Sequence, residues 1–292
     1  MAESETERTR RGGESELSVR DVAVVTGSSS GIGRATAVAL NEAGWRVYAT
    51  ARNPSDVADL ADRERIEPLE LDVTDGNQTR DAITEVVDDA GRIDLLVNNA
   101  GYAQLGPIED VPVARVRRQF DVNVFGPHRL LRAAVPVLRE QGEGTIVTVS
   151  SAAGRVAFPG GGVYSGAEHA TEAMTDALRA ELDGFGVDVV LVEPGPVRTR
   201  FADRAERELR AIDRTEAYGD FYRFYDDTRT IGGWPAAVDP GDVADVVVEA
   251  ATCADPAARY PVGRFARVAA LARYLPDGVR DRLYGLLGFL TS

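Results

Sequence analysis

The chain has 292 residues, 44% of them hydrophobic, and its 29 glycines and 14 prolines are typical of a folded globular protein. This composition excludes collagen-like, coiled-coil and wholly disordered chains. The 33 basic residues, all of them arginine, are outnumbered by 47 acidic residues, so the formal net charge is −14. Because a surface of this charge repels polyanions at long range, nucleic acids and anionic lipids are not expected as partners.

The absence of lysine has two explanations, and both stay open. A halophilic-type protein that works in concentrated salt uses an acidic surface, because the salt screens its self-repulsion over a few ångströms. A genome whose base composition favours arginine codons produces the same residue usage.

Residues 1–18 are rich in Glu, Arg, Ser and Gly without hydrophobic periodicity, and they are predicted to form a disordered acidic tail. They hold no apolar stretch of the kind that a secretory signal requires. The chain has no run of about 18 uncharged apolar residues, so no transmembrane segment is predicted. We expect a cytoplasmic protein.

Short apolar runs of strand length alternate with segments whose apolar residues recur every three or four positions. The predicted strands are 22–26, 47–50, 66–71, 95–98, 145–150 and 187–192, and the predicted helices are 32–43, 80–90, 113–138, 167–182 and 240–253. This alternation implies right-handed crossovers, and runs that are apolar throughout indicate strands buried on both sides. The predicted fold class is α/β, a doubly wound parallel sheet with helices on both faces.

The alternation is interrupted at residues 196–238, which carry charges and aromatic side chains from Phe221 to Trp234. The last segment, 264–290, mixes arginine with apolar residues and predicts an amphipathic helix packed on the body or on a neighbouring subunit. No linker divides the chain, so one domain is predicted over 19–262, with 263–292 as its helical extension. The lone cysteine, Cys253, is predicted to be buried in a helix.

A glycine-rich segment, Thr26-Gly27-Ser28-Ser29-Ser30-Gly31-Ile32-Gly33, joins the first strand to the first helix. Glycines at this position let the chain turn sharply and bring main-chain N–H groups against a pyrophosphate at a helix N-terminus. A side chain at Gly31 or Gly33 would hold such a ligand away. The segment therefore predicts a dinucleotide site.

The end of the second strand carries the information on cofactor choice. A carboxylate there would accept a hydrogen bond from the ribose 2′-hydroxyl of NAD. The segment instead reads Tyr48-Ala49-Thr50-Ala51-Arg52, and a guanidinium suits a 2′-phosphate. NADP(H) is predicted in preference to NAD(H), with Arg52 as the main contact and Arg34 as a lesser candidate. The alternative is that Arg52 is only an exposed residue at a helix start.

Further motifs follow the glycine segment in a recognisable order: Asn98-Asn99-Ala100-Gly101, then Asn123, Ser151, Tyr164 and Pro194-Gly195. In order and spacing they resemble the short-chain dehydrogenase/reductase family, over roughly residues 20–262, and steroid- or retinol-type members in particular. The resemblance implies a Rossmann sheet of about seven strands. It implies that the cofactor is lined by Gly27, Ser29, Ser30, Gly31, Ile32, Gly33, Arg52, Asp72, Val73, Asn98, Ala100, Gly101, Tyr164, Pro194, Gly195, Val197 and Thr199.

The resemblance also implies a catalytic group. Tyr164 would exchange a proton with the substrate oxygen, Ser151 would orient that oxygen, and Asn123 would hold a water of the proton relay. The family has a lysine four residues after the tyrosine, whose charge lowers the tyrosine pKa. In this chain Glu168 stands there. An ionised glutamate would raise that pKa, although it could still accept hydrogen bonds from ribose hydroxyls.

Two functions remain open from the sequence. The first is an NADP(H)-dependent oxidoreductase that interconverts an alcohol and a ketone or aldehyde, with an aromatic segment from Phe201 to Trp234 closing over a hydrophobic substrate. The second is a nucleotide-binding module with weak or no turnover because of Glu168.

The family resemblance also implies a homo-dimer or homo-tetramer that pairs through helices 113–138 and 167–182. Neither His169 nor His128 is expected to act in the site, and no metal site is predicted.

Overall fold

The computed structural model describes residues 21–227 and 237–289. Its centre is a seven-stranded sheet in the order β3-β2-β1-β4-β5-β6-β7, in which all neighbouring strands are parallel. The strands are β1 (Val22–Val25), β2 (Arg46–Ala51), β3 (Ile66–Glu70), β4 (Leu95–Asn98), β5 (Gly144–Val149), β6 (Val187–Pro194) and β7 (Arg259–Val262). The doubly wound fold predicted from the sequence is confirmed.

Helices cover both faces of the sheet. They are α1 (Gly31–Glu42), α2 (Gly76–Ala90), α3 (Val113–Phe120), α4 (Gly126–Gln141), α5 (Gly162–Glu181), α6 (Arg200–Arg210), α7 (Gly219–Asp227), α8 (Pro240–Thr252), α9 (Arg264–Ala272) and α10 (Asp277–Phe289). Helices α1 and α8 pack on one face, and α2, α4 and α5 pack on the other. Within the described ranges, no helix combines the length and apolarity needed to cross a bilayer.

The strands are apolar at successive positions because the sheet has a hydrophobic core on each of its two faces. In β1, Ala23 and Val25 belong to the core under α1 and α8, whereas Val22 and Val24 belong to the core on the opposite face. Successive side chains of a strand point to opposite faces, so a strand covered on both sides needs apolar residues at every position. Leu40 of α1 lies in the first core and is completely buried.

Three helix boundaries differ from the sequence prediction. Helix α2 begins at Gly76, because the Asp75 side chain accepts hydrogen bonds from the N–H groups of Asn77 and Gln78 and caps it there. Helix α5 begins at Gly162 and so includes Tyr164. The predicted single helix over 113–138 is interrupted by a π-helical segment, Asp121–Phe125, which separates α3 from α4.

The sequence predictions for Cys253, for the N-terminal tail and for the C-terminal extension have different outcomes. Cys253 was predicted to be buried, and this is wrong: it is exposed, because it follows α8 in an extended conformation beyond the last buried turn. The predicted tail at 1–18 lies outside the described residues, as does Trp234. The C-terminal extension is helical, in two helices that follow β7.

Replacing Leu40 with alanine should lower the free energy of unfolding by about 2–5 kcal/mol, because it removes a buried side chain and leaves a cavity between α1 and the sheet. Chemical denaturation at fixed salt concentration measures the loss. Leu271→Ala, at a position that is 72% exposed, is the matched control and should change stability little. Equal losses in both variants would contradict this account of the core.

Candidate functional site

The glycine segment lies where the chain leaves β1 and enters α1. Gly27 and Gly31 have φ angles of +71° and +60°, in the left-handed region that other residues avoid. Ser30 precedes α1 without making a side-chain capping bond, so the first N–H groups of the helix are open to a ligand. This is the arrangement that binds a phosphate through bare main chain.

Gly33 lies where α1 packs closely against the glycine segment. A Cβ at this position would lie 2.5 Å from the carbonyl oxygen of Gly27 and 2.4 Å from Nδ2 of Asn99. Of the predicted cofactor residues, Gly33 does not line the cleft. The absence of a side chain is required for this packing of α1 against the loop.

A cleft of about 1990 Å³ runs along the carboxyl ends of the strands, at the point where the strand order reverses between β1 and β4. Both polar atoms of the buried Asn98 side chain, which lines this cleft, lack hydrogen-bond partners in the described structure. Such atoms fit a ligand with polar groups. Of the predicted cofactor residues, the cleft is lined by Gly27, Ser29, Ser30, Gly31, Ile32, Arg52, Asp72, Val73, Asn98, Ala100, Gly101, Tyr164, Pro194, Gly195, Val197 and Thr199.

Three arginines concentrate positive charge at one end of this cleft. Arg204 of α6 lies 5.0 Å above the Tyr102 ring and Arg118 of α3 lies 5.8 Å from it. Burial lowers the pKa of Arg204, and the nearby charges of Arg52 and Arg118 act in the same direction. Arg34, the lesser candidate, instead pairs with Asp59. A cationic group of this kind suits an anionic ligand.

Tyr164 and Ser151 provide two hydroxyl groups on the cleft wall. Tyr164 lies in the first turn of α5, and Ser151 follows β5 and caps a short 3-10 turn through its hydroxyl. Burial raises the pKa of Tyr164 well above 10, the Glu168 carboxyl adds to this rise, and a hydrogen bond with Ser151 opposes it. A phenol with such a pKa is protonated at neutral pH, and it can donate a proton to a substrate oxygen.

Asn123 lies in the π-helical segment, and its side chain is fully engaged. Its Oδ1 accepts from the N–H of Tyr102 at 3.2 Å, and its Nδ2 donates to the carbonyl oxygen of Tyr102 at 3.1 Å and to Oε1 of Glu168 at 2.9 Å. Its main-chain oxygen accepts from the Thr171 hydroxyl at 3.0 Å. Of the predicted catalytic side chains, the one that Asn123 contacts directly is Glu168.

Glu168 is 4% exposed, on the side of α5 that faces the sheet. Desolvation is the main cause that raises its pKa to about 7; Glu172 adds to the rise, while Asn123 and Ser150 oppose it. An ionised glutamate, the form that raises the pKa of Tyr164, is therefore not the only form present. Because Glu168 is buried, it is partly protonated at neutral pH and carries less than a full negative charge beside Tyr164.

The other end of the cleft is apolar. The Phe201 ring lies 6.0 Å from that of Tyr164, and Phe158 and Phe221 line the same space. Helices α9 and α10 add Phe265, Val268, Ala269, Ala272 and Tyr284, and the Tyr284 hydroxyl donates to the carbonyl oxygen of Ala157.

Sequence reasoning missed the part of the wall that α9 and α10 contribute, and the two arginines Arg118 and Arg204. Only the spacing of Arg200, Arg204 and Arg207 on one face of a helix offered a signal. His169 is exposed and its ring nitrogen contacts the carbonyl oxygen of Ser165, and His128 is also exposed. Within residues 21–227 and 237–289, no group of three or more His, Cys, Asp or Glu could hold a metal ion.

Comparison with known families gives one description for most of the chain. The family model described as short chain dehydrogenase matches residues 21–210. A probable short-chain type dehydrogenase/reductase, VdlC from Helicobacter pylori, is 33% identical over 91% of this chain and 97% of its own length. An NADPH-dependent 3-dehydrocapnine reductase from Ornithobacterium rhinotracheale is 34% identical over 90% of this chain and 95% of its own.

Solved structures agree with this description. A short-chain dehydrogenase from Streptomyces avermitilis is 34% identical with a TM-score of 0.77, over 90% of this chain and 94% of that one. Two further neighbours are short chain dehydrogenases with bound cofactors. The Burkholderia cenocepacia protein, with NADP, has 28% identity and a TM-score of 0.73 over 90% and 97% of the two chains. The Burkholderia phymatum protein, with NAD, has 27% identity and a TM-score of 0.70 over 79% and 85%.

The buried Glu168 should make stability depend on pH. Its pKa is about 7 in the folded chain against an ordinary value of 4.5, so between these values the folded chain holds a proton that the unfolded chain releases. The resulting stabilisation, about 3 kcal/mol, is fully present below pH 4.5 and is lost as the pH rises to about 7. Chemical denaturation across this range should show that Glu168→Gln removes the dependence.

Glu181→Gln is the matched control for that measurement, because Glu181 lies exposed at the end of the same helix. It should leave the slope of stability against pH unchanged. If Glu168→Gln and wild type have the same slope, Glu168 does not hold the proton.

Proposed function

Since the chain belongs to the short-chain dehydrogenase/reductase family and is an oxidoreductase, we propose that it uses NADP(H) to interconvert a hydrophobic ketone or aldehyde and its alcohol. The observation that carries the proposal is the position of the Ser151 and Tyr164 hydroxyls in the wall of the cleft that the glycine segment opens. A chain that only bound a nucleotide would have no evident use for both hydroxyls.

A nicotinamide dinucleotide fits the cleft, because the bare main chain at Gly27 and Gly31 and the unpartnered amide of Asn98 supply contacts that such a ligand satisfies. The glycine segment would hold its diphosphate, and Asp72 and Val73 would flank its adenine. When bound, the cofactor supplies or accepts the hydride. The chain's own residues bind, orient and exchange protons.

The preference for NADP(H) over NAD(H) rests on Arg52, Arg118 and Arg204. No carboxylate occupies the end of β2 at Ala51 and Arg52. Burial acts to raise the pKa of Asp72, which also lines the cleft, but hydrogen bonds from Thr74 and the charges of Arg52 and Arg118 hold that pKa low. The three guanidiniums would bind a 2′-phosphate. NADPH is named for one relative and NADP is bound in one structural neighbour, while another holds NAD.

In carbonyl reduction, Tyr164 would donate its phenol proton to the oxygen as negative charge develops there. Ser151 would hold that oxygen through its hydroxyl. Asn123 would act indirectly, because its amide donates a hydrogen bond that holds the Glu168 carboxyl in place, one turn along α5 from Tyr164. The rings of Phe201, Phe158 and Phe221, with the side chains of α9 and α10, would bind an apolar substrate and exclude water from the reaction.

A second function, a nucleotide-binding module with little turnover, is favoured by one observation. No lysine exists to lower the pKa of Tyr164, which lies well above 10. This hinders alcohol oxidation, which needs the phenolate, more than carbonyl reduction, which needs the phenol. The oxidoreductase therefore remains the function that the site supports better.

Three further properties are proposed, the first of them on the family resemblance. Pairing of subunits through α3, α4 and α5 would give a homo-dimer or homo-tetramer, and exposed Phe125 and Met174 lie on those elements or between them. The protein would be cytoplasmic and would act on small molecules.

Replacing Tyr164 with phenylalanine should abolish carbonyl reduction and leave NADPH binding within about twofold, because only the proton donor is removed. Oxidation of NADPH is followed with retinal, a steroid ketone, an aryl ketone and a long-chain aldehyde, in high and low salt. Tyr274→Phe, at a position that is 77% exposed, serves as control and should keep full activity. Binding of NADPH without turnover of any carbonyl compound by the wild type would favour the module.

Arg52→Ala and Arg204→Ala should each weaken NADPH binding by roughly 10- to 100-fold. This factor corresponds to the loss of one charge-assisted hydrogen bond, which contributes about 1.5–3 kcal/mol to binding. NADH binding should change little, because NADH lacks the 2′-phosphate. Nucleotide fluorescence titration measures both affinities, with Arg80→Ala on the distant helix α2 as control. Equal weakening for the two nucleotides, or tighter binding of NADH than NADPH by the wild type, would contradict the assigned role.

A further inference from the structure

Helix α5 carries an ionisable side chain at every fourth position from the cleft towards the surface. Tyr164, Glu168, Glu172 and Asp176 follow one another at this spacing, and residues four apart are neighbours on a helix face. The first lines the cleft, the next two are 4% exposed, and the Asp176 side chain is 44% exposed. The stripe connects the active-site phenol with solvent.

The charges around this stripe do not balance if every acid is ionised. Glu172 and Glu193 of β6 both pair with Arg259 of β7, and both lie 3.8 Å from Arg155, which is itself buried. Two guanidiniums thus neutralise two buried carboxylates. Glu168 is a third, and no ion pair in the described part of the chain includes it. A buried carboxyl without a counter-charge retains its proton.

Ser150 lies between the two glutamates on the stripe. Its hydroxyl lowers the pKa of both Glu168 and Glu172, yet Ser150 Oγ forms no well-aligned bond to a described residue, and neither does Oε1 of Glu172. The side chains of Ser150 and Glu172 border Gly154. A Cβ on Gly154 would lie 3.0 Å from Ser150 Oγ and 2.8 Å from Cγ of Glu172. The missing Cβ leaves room for the hydroxyl to turn from one carboxyl to the other.

We propose that Glu168 is the proton store of the active site: it reprotonates Tyr164 after each carbonyl reduction. Glu168 is then itself reprotonated from solvent through Ser150 and Glu172. The inference rests on the proposed function. The groups that act on the pKa of Glu168 are Asn123 and Ser150, which do not titrate, and the titratable Glu172, while Glu168 itself acts on Tyr164. The charged groups Glu193, Arg155 and Arg259 lie around Glu172, the next residue of the stripe.

The proton balance of one turnover is complete. The carbonyl carbon receives the hydride that the nicotinamide cofactor supplies, and the carbonyl oxygen takes the phenol proton of Tyr164. The phenolate takes the carboxyl proton of Glu168, and the Glu168 carboxylate takes a proton from solvent. The reverse reaction must start from the phenolate, and no cation of the described residues is among the groups that act on the Tyr164 hydroxyl. Near neutral pH, therefore, the site favours reduction over alcohol oxidation.

Infrared spectroscopy of the protein without nucleotide or substrate tests the protonation of Glu168. A C=O stretch of a buried carboxylic acid, absent from Glu168→Gln, should disappear as the pH rises through about 7. Glutamine is nearly isosteric and keeps an oxygen to accept from Asn123, so the variant should fold. Spectra of the variant and the wild type that coincide at every pH would overturn the proposal, whether or not the protein reduces any carbonyl compound.

The relay itself is tested by turnover of whichever carbonyl compound the wild type reduces fastest. Glu168→Gln should lower kcat by roughly 10- to 100-fold, leave KM for NADPH nearly unchanged and remove the decline of rate above pH 7. Glu172→Gln should lower kcat while the Glu168 band persists. Glu168→Lys should raise alcohol oxidation at pH 7–8 by at least about tenfold relative to reduction.

These outcomes separate the inference from the function on which it rests. An unchanged kcat and pH profile in Glu168→Gln, in a protein whose reduction still depends on Tyr164, would overturn the proton store and leave the proposed function standing. If Glu168→Gln lowers kcat but keeps the pH dependence of the wild type, Glu168 has a structural role. That result would also overturn its assignment as the proton store.

Discussion

The cofactor cleft depends on a direct connection between the ends of β1 and β4. Nδ2 of Asn99 donates to the carbonyl oxygen of Thr26 at 2.7 Å, and the Thr26 hydroxyl accepts from the N–H groups of Asn99 and Ala100 at 2.8 and 3.0 Å. These bonds hold the two strands together where the chain order reverses, and so fix the loop that begins at Gly27. Because Gly33 has no side chain, α1 can approach this connection closely enough to present its first N–H groups to the cleft.

Helix α5 combines a structural and a chemical role on the same face. Its outer acids, Glu172 and Asp176, bind Arg259 and so attach the edge strand β7 to the body of the protein. Its inner residues, Tyr164 and Glu168, reach the cleft. A lysine at 168 would have added a third cation beside Glu172 and Glu193. With Glu168 at this position, no cation of the described residues is among the groups that act on Tyr164, and burial keeps the glutamate partly protonated near neutral pH.

The sheet, its parallel order and the cleft at its carboxyl edge could be predicted from the sequence, because they follow from alternating apolar runs and a glycine segment at the first crossover. The π-helical segment around Asn123 could not, because its apolar spacing is the same as that of a continuous helix. Nor could the burial of Glu168, which depends on contacts of α5 with Asn123 and Ser150, distant in sequence. Arg118 and Arg204 were missed for the same reason, since only the fold brings α3 and α6 beside Tyr102.

Part of the cleft wall is built from α9 and α10, which follow the last strand and add nothing to the sheet. Val268 on this wall is 64% exposed, and the Phe265 side chain is 40% exposed. Substitutions at such positions usually change stability by no more than about 0.5 kcal/mol. Substitutions here can therefore reshape the proposed substrate-binding surface at little cost in folding stability, without altering the strands that carry the glycine segment.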